Sequence, residues 1–176
     1  NLNGSGASTE KMLQENANFA KENLADFGLN TFQIDDHWQN SMGIPKNRLG
    51  SGPLKTFAES NKNFPSGMQY TAKHLKQAGF TPGLWFMPFS GDMHNPYFSK
   101  EIFAKHLWSD VPYDVKKWSG TCIDATNPAG EKFLRERFKR IYDWGYRYYK
   151  IDGLHTGAPS ENIYVTRSYE GVPVYG

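Results

Sequence analysis

The chain has 176 residues, a formal net charge of +2 and 22% charged residues, with no block of Lys or Arg that would mark a polyanion-binding surface. No apolar run is long enough to span a membrane, and a single cysteine, Cys122, excludes an internal disulfide. The length suits one domain over residues 1–176, and the 15% aromatic content suits a ring-stacking site as well as a large core.

Residues 8–27 read as a helix. Ser8 or Thr9 caps it, Leu13, Ala17, Ala20, Leu24 and Phe27 recur at helical spacing, and Gly28 stops it. A β-rich run, NTFQIDD, follows. The plan repeats over residues 66–78, where Ser66 is the cap, Met68, Ala72 and Leu75 form the stripe, Gly79 stops the helix and TPGLWFMPF follows. It repeats again over 128–144, with Asn127 as cap and Pro128 in the first turn. Phe133, Leu134, Phe138, Ile141 and Tyr142 form the apolar face there, Gly145 stops the helix, and YRYYKIDG follows. The basic stretch KRIYDWGYRYYK (139–150) is explained by this helix running into a strand, so no nucleic-acid partner is expected.

Helix, glycine, strand, three times over, predicts an α/β fold whose parallel strands are packed between helices. The carboxyl ends of the strands, Asp35-Asp36, Trp85 to Phe89 and Lys150 to Asp152, then share one rim, where α/β folds bind ligands. Two polar connections, 40–63 and 90–120, leave that rim. The second carries His94, Tyr97, Phe98, His106, Trp108, Tyr113 and Trp118, and a short helix is expected near 99–107.

Each strand end admits a functional and a structural reading. In YKIDG, strand alternation puts Lys150 and Asp152 on one side. The ammonium would keep the carboxylate ionised, as a nucleophile needs, or the two form a simple ion pair. In IDDHW, two adjacent acids repel unless each finds partners. Sugar hydroxyls would supply donors and Trp38 a stacking face, or the pair merely shapes a turn. Asp35, Asp36 and His37, with His155, form the alternative of a metal site, but contiguous strand residues point in different directions. Trp85 either lines a pocket or belongs to the core. His155 reads as a loop residue, Asp124 as a turn or cap residue, and Cys122 as a small buried residue.

Together the segments FQIDDHWQ, NKNFPSGMQYTAKHLKQAGFTPGLWFMPF, CIDATNPAGEKFLRERF and YRYYKIDG resemble glycoside hydrolase clan D, the melibiase group of α-galactosidases and α-N-acetylgalactosaminidases, over roughly residues 8–157. The resemblance implies part of a (β/α)₈ TIM barrel, about strands 2 to 4 with their helices. It implies that Asp152 is the nucleophile of a retaining glycosidase. Asp35, Asp36, Trp38, Trp85 and Lys150 would hold an α-galactoside or α-N-acetylgalactosaminide. No metal and no organic cofactor is implied. The acid/base carboxyl, about 5–5.5 Å from the nucleophile, would lie beyond Gly176, and the first strand before Asn1. A whole barrel of this kind takes about 250 residues, so the remainder of the barrel is expected as partner. Where relatives often carry a glycine after the acid pair, this chain has His37. A carbohydrate-binding protein on a degenerate glycosidase scaffold is the competing reading. The choice between galactose and N-acetylgalactosamine, the linkage, the oligomeric state and the compartment (extracellular or periplasmic included) are not fixed by the sequence.

Overall fold

A computed structural model describes residues 8–40, 56–106, 109–115, 120–157 and 163–164. The α-helices are α1 (Glu10–Asn23), α2 (Gly67–Gln77) and α3 (Pro128–Asp143). The strands are β1 (Thr31–Ile34), β2 (Thr81–Phe86), β3 (Ser90–Gly91), β4 (Lys105–His106), β5 (Asp114–Val115), β6 (Gly120–Cys122), β7 (Tyr148–Ile151) and β8 (Ile163–Tyr164). Among the described residues the chain forms two compact units. One uses residues 8–40, 57–86 and 139–151. The other uses 56, 87–106, 109–115, 120–138, 152–157 and 163–164.

The first unit holds the expected parallel sheet, in the order β1-β2-β7. Thr31 pairs with Thr81 and Ile34 with Leu84, while Gly83 pairs with Tyr148 and Phe86 with Ile151. All three strands therefore run the same way, and their carboxyl ends lie along one edge. Among the described residues this sheet is three strands wide and open.

The helices form where local signals place them. In α1 the Thr9 hydroxyl accepts from the Met12 N–H at 3.2 Å, a side-chain N-cap. Its buried stripe is short, however. Ala17 and Ala20 are buried, while Leu24 and Phe27 are exposed, Phe27 at 87%. The helix ends at Asn23, and a 3₁₀ turn (Ala25–Phe27) leads to left-handed Gly28. Ser66 does not cap α2 with its side chain. Instead its hydroxyl and N–H both donate to the Glu10 carboxylate, at 2.8 and 3.0 Å, which ties the starts of α1 and α2 together. The stripe Met68, Ala72 and Leu75 is buried as expected, joined by Thr71. Gly79 and Gly145 stop α2 and α3 at positive φ, 97° and 109°.

The core of this unit is aromatic. Phe57 packs edge-on against Trp85 and Phe86 and at a tilt to Trp38, and the Trp38 and Trp144 rings meet edge to face at 5.9 Å. Each such ring contributes about 2–3 kcal/mol through burial. The Tyr146 hydroxyl, fully buried, donates to the Met68 carbonyl at 3.1 Å, and burial raises its pKa far above the ordinary tyrosine range.

The second unit forms strands within a segment whose sequence predicts only a connection with one short helix. The strands β3, β6 and β5 form a small antiparallel sheet in that order, and β4 pairs with β8. The helix expected near 99–107 is a single 3₁₀ turn, Lys100–Ile102, capped by the Ser99 hydroxyl. The chain then extends, because Phe103 bridges to Ile123 and Ala104 bonds the backbone of Cys122 and Tyr113. Phe98, Ile102, Phe103, Ile123 and Leu134 form its core. Asn127 caps α3 as expected, its Oδ1 accepting from the Ala129 and Gly130 N–H groups at 2.8 and 3.3 Å. Trp108 and Trp118 lie outside the described residues, as does the greater part of segment 40–63. No helix among the described residues is long and apolar enough to cross a membrane.

Candidate active site

Asp35 leaves the sheet one residue after the Ile34–Leu84 rung, and the next rung pairs Trp85 with Lys150. Asp35 and Lys150 thus sit on the two strands that flank Trp85. Neighbouring strands are about 4.8 Å apart, so a bridge over the middle strand needs a long side chain. The Lys150 stem spans it, and its ammonium lies 2.7 Å from Asp35 Oδ2.

The same carboxylate takes two more donors. The Asp36 N–H reaches Oδ1 at 2.8 Å, and the Gln33 amide reaches Oδ2 at 3.2 Å. Partial burial works to raise the Asp35 pKa. The Lys150 hydrogen bond, the Asp36 N–H, the Lys150 charge and the Gln33 amide outweigh it, and the carboxyl is held below its ordinary value. Asp36 is satisfied separately. Its Oδ1 accepts from the His37 N–H at 2.6 Å and the Gln39 amide at 2.9 Å. His37 adopts φ +75°, the left-handed region that favours glycine. The Asn61 amide holds the His37 carbonyl, keeping this turn closed.

Gln33, Gln39 and Asn61 complete the site without being among the residues that the sequence motifs single out. Gln33 had a usable signal, since it lies two residues before Asp35 on an alternating strand. Its position depends on Gly83. A Cβ there would stand 2.9 Å from Tyr148 Cδ1 and 3.1 Å from Gln33 Cβ. Glycine on the middle strand lets the two flanking side chains close over it.

The tryptophans sit deeper than a stacking role suggests. Trp38 is 0% exposed and its indole N–H donates to the Trp85 carbonyl at 2.8 Å; Trp85 is 3% exposed. In this structure both rings belong to the buried aromatic core of the first unit.

Asp152 lies in the second unit, directly after β7, and is half-buried. Its Oδ1 accepts from the Gly153 N–H at 2.7 Å. His155 stands exposed in the 3₁₀ turn Leu154–Thr156, as its loop assignment expects. Asp124 is a turn residue as expected, its Oδ1 accepting from the Thr126 N–H and hydroxyl at 2.9 and 2.7 Å. Burial raises its pKa against the lowering effect of those bonds. Cys122 is fully buried, and burial, with the nearby Asp114 charge, pushes its thiol up to about 12. Among the described residues no three His, Cys, Asp or Glu side chains gather where they could hold a metal ion.

Arg137 is a functional candidate that the apolar pattern of α3 conceals. It falls on the buried side of α3, 1% exposed, with its guanidinium over the Phe133 ring at 4.6 Å. Its Nη1 donates to the carbonyls of Met87, Pro88 and Ser90. A charged residue spaced between Leu134 and Ile141 on the apolar face was the available signal.

In fold as in motif, the chain is similar to the clan D, melibiase-like glycosidases, enzymes built on TIM barrels. One solved structure it matches is an α-galactosidase from Thermus thermophilus in complex with p-nitrophenyl α-D-galactopyranoside. The two are 27% identical with a TM-score of 0.64, covering 87% of this chain and 29% of that one. The same enzyme with stachyose gives 26% identity, a TM-score of 0.65, and coverage of 87% and 31%. A glycoside hydrolase family 27 β-L-arabinopyranosidase from Geobacillus stearothermophilus, with arabinose bound, shares the fold at 14% identity and a TM-score of 0.60, covering 83% of this chain and 37% of that one. The chain thus spans less than a third of the Thermus enzyme's length. No family model matches it.

Proposed function

We propose that the protein carrying this chain is a retaining exo-glycosidase that removes terminal α-linked galactose or α-N-acetylgalactosamine, and that this chain supplies strands 2 to 4 of its (β/α)₈ barrel. The observation that carries the reading is the Lys150–Asp35 contact of 2.7 Å, with Asp36 beside it, at the carboxyl ends of parallel strands. That edge offers one cation and two carboxylates to the hydroxyls of a sugar, at the rim where α/β folds take ligands. The α-galactosides bound to the Thermus neighbour support the substrate class.

Asp152 acts as the nucleophile. Its carboxylate oxygen bonds to the anomeric carbon while the glycosidic C–O bond breaks, and a second carboxyl group protonates the departing oxygen. That group then takes a proton from water, whose oxygen attacks the anomeric carbon and releases Asp152 with net retention. Asp35, Asp36 and Lys150 hold the sugar, and Trp38 and Trp85 contribute from the buried aromatic core of the same unit. Two carboxyl groups and a positioned sugar suffice, so no cofactor is required.

Hydrolysis of p-nitrophenyl α-galactoside by the whole protein and by Asp152→Ala tests the assignment. The variant should lose activity by on the order of 10⁴-fold and keep its affinity for galactose, and the first product seen by NMR should be the α-anomer. Wild-type turnover in Asp152→Ala would sink the assignment. Galactose binding by the native protein without any turnover would favour the non-catalytic binding protein.

A further inference from the structure

We propose that Thr156 is a positioning residue for the Asp152 carboxylate, acting through Gly153; this rests on Asp152 being the nucleophile. Thr156 is fully buried. Its hydroxyl donates to the Gly153 carbonyl at 2.6 Å and its N–H donates to the same oxygen at 3.0 Å. The hydroxyl also lies 3.3 Å from the Ser90 hydroxyl, itself fully buried. Gly153 is therefore gripped at its carbonyl.

The other end of Gly153 holds the nucleophile. Its N–H donates to Asp152 Oδ1 at 2.7 Å, with the residue in the left-handed region at φ +62°, ψ 33°. Glycine is favoured there. A Cβ would stand 2.5 Å from Met87 Cε, and a Cβ on Gly157 would stand 2.5 Å from Phe89 Cγ. The turn 153–157 is thus pressed at both ends onto the segment 87–90.

That segment is itself fixed from behind by Arg137, through the carbonyls of Met87, Pro88 and Ser90. A continuous line of contacts runs Arg137, Ser90, Thr156, Gly153, Asp152, entirely within the second unit. The Thr156 hydroxyl joins the braced segment to the Gly153–Leu154 peptide, one Cα away from the Asp152–Gly153 peptide whose N–H donates to Asp152 Oδ1. Without it the Gly153 carbonyl keeps only the Thr156 N–H, the turn loosens about the Gly153 Cα, and the N–H that orients Asp152 Oδ1 is held less tightly. Misplacement of a reacting group by about 1 Å can cost about 10²-fold in rate.

The test compares wild type, Thr156→Val and Thr156→Ser in the whole protein. Each is inactivated with 5-fluoro-α-galactosyl fluoride, the adduct is weighed and mapped, and galactose affinity and thermal unfolding are measured alongside. Fluoride departs without a proton, so the maximal inactivation rate reports attack by the nucleophile alone. Thr156→Val should slow that rate by about 10- to 100-fold with galactose affinity held within about twofold. Thr156→Ser, which keeps the hydroxyl, should return most of the rate. A Thr156→Val protein that labels Asp152 at the wild-type rate overturns the positioning role alone. So does one whose labelling and galactose affinity fall together with its melting temperature, since Thr156 would then only support folding. Wild-type protein that labels elsewhere, or not at all, overturns the nucleophile reading and this proposal with it.

Discussion

Asp35 and Asp36 are adjacent acids that avoid mutual repulsion by drawing on different donors. Asp35 uses Lys150, Gln33 and a backbone N–H, whereas Asp36 uses Gln39 and the next backbone N–H. The Lys150–Asp35 pair is half exposed, and such pairs contribute about 0–1 kcal/mol. Asp35→Asn should therefore change stability by under about 1 kcal/mol at neutral pH while weakening galactose binding at least about tenfold, as calorimetry can separate. The pH dependence has a definite sign. The folded pKa of Asp35 is lowered, so its contribution is present above the ordinary value of 3.8 and fades as pH falls through the lower folded value. The difference between wild type and Asp35→Asn should vanish in acid and stay level above about pH 5. A difference that grows in acid would contradict the pairing. His37 gives a second residue-scale test. A left-handed conformation costs a non-glycine residue about 1–2 kcal/mol, of which the greater flexibility of unfolded glycine takes back about 0.5–1 kcal/mol. His37→Gly should raise the urea midpoint, by a stability gain of about 0.5–1 kcal/mol; a lower midpoint would mean that the imidazole contributes more than its backbone strain costs.

Among the elements, those with strong local signals were legible. The Thr9 and Asn127 caps, the stop glycines and the stripe of α2 depend on residues close in sequence, and they stand where the periodicity puts them. The outer end of the α1 stripe does not follow, because Leu24 and Phe27 fall beyond the last helical turn. The strands β3, β5 and β6 were not legible for a different reason. Two or three residues show no periodicity, and their pairing is decided by partners up to 32 residues away, as Ser90 with Cys122. The acid pair could be read as a candidate from its sequence alone. Its link to Lys150, 115 residues on, could not. Gly83 is where element and site meet. By strand propensity an alanine there should help slightly. The close approach of Gln33 and Tyr148 decides otherwise, and Gly83→Ala should cost about 1–3 kcal/mol and weaken sugar binding by displacing Gln33. Unchanged stability and binding in that variant would show that the flanking side chains move aside freely.

For the whole molecule, the single cysteine is a built-in reporter. Cys122 is fully buried and its thiol is pushed up to about 12, so at pH 8 it is neither accessible nor a thiolate. Ellman's reagent should leave the native protein unlabelled for hours and label it promptly in denaturant, with the labelling rate across a urea series following the opening of the second unit. Prompt reaction of folded protein at pH 8 would mean that the β3-β6-β5 sheet opens on its own. The parallel sheet of the first unit has a consequence for how the chain is made. Every β1–β2 rung joins residues 50 apart, and every β2–β7 rung residues 65 apart. Loop closure costs nearly the same for both, differing by about 0.2 kcal/mol, so neither pairing has an entropic head start. Synthesis does set an order. β2 can pair with β1 as soon as it emerges, but its other side must wait for 65 more residues, roughly 3–13 s at ribosomal speed. For those seconds the apolar run Gly83–Phe86 presents an unpaired edge. A nascent chain that stalls after β2 is the form of this protein most exposed to aggregation and most in need of a chaperone.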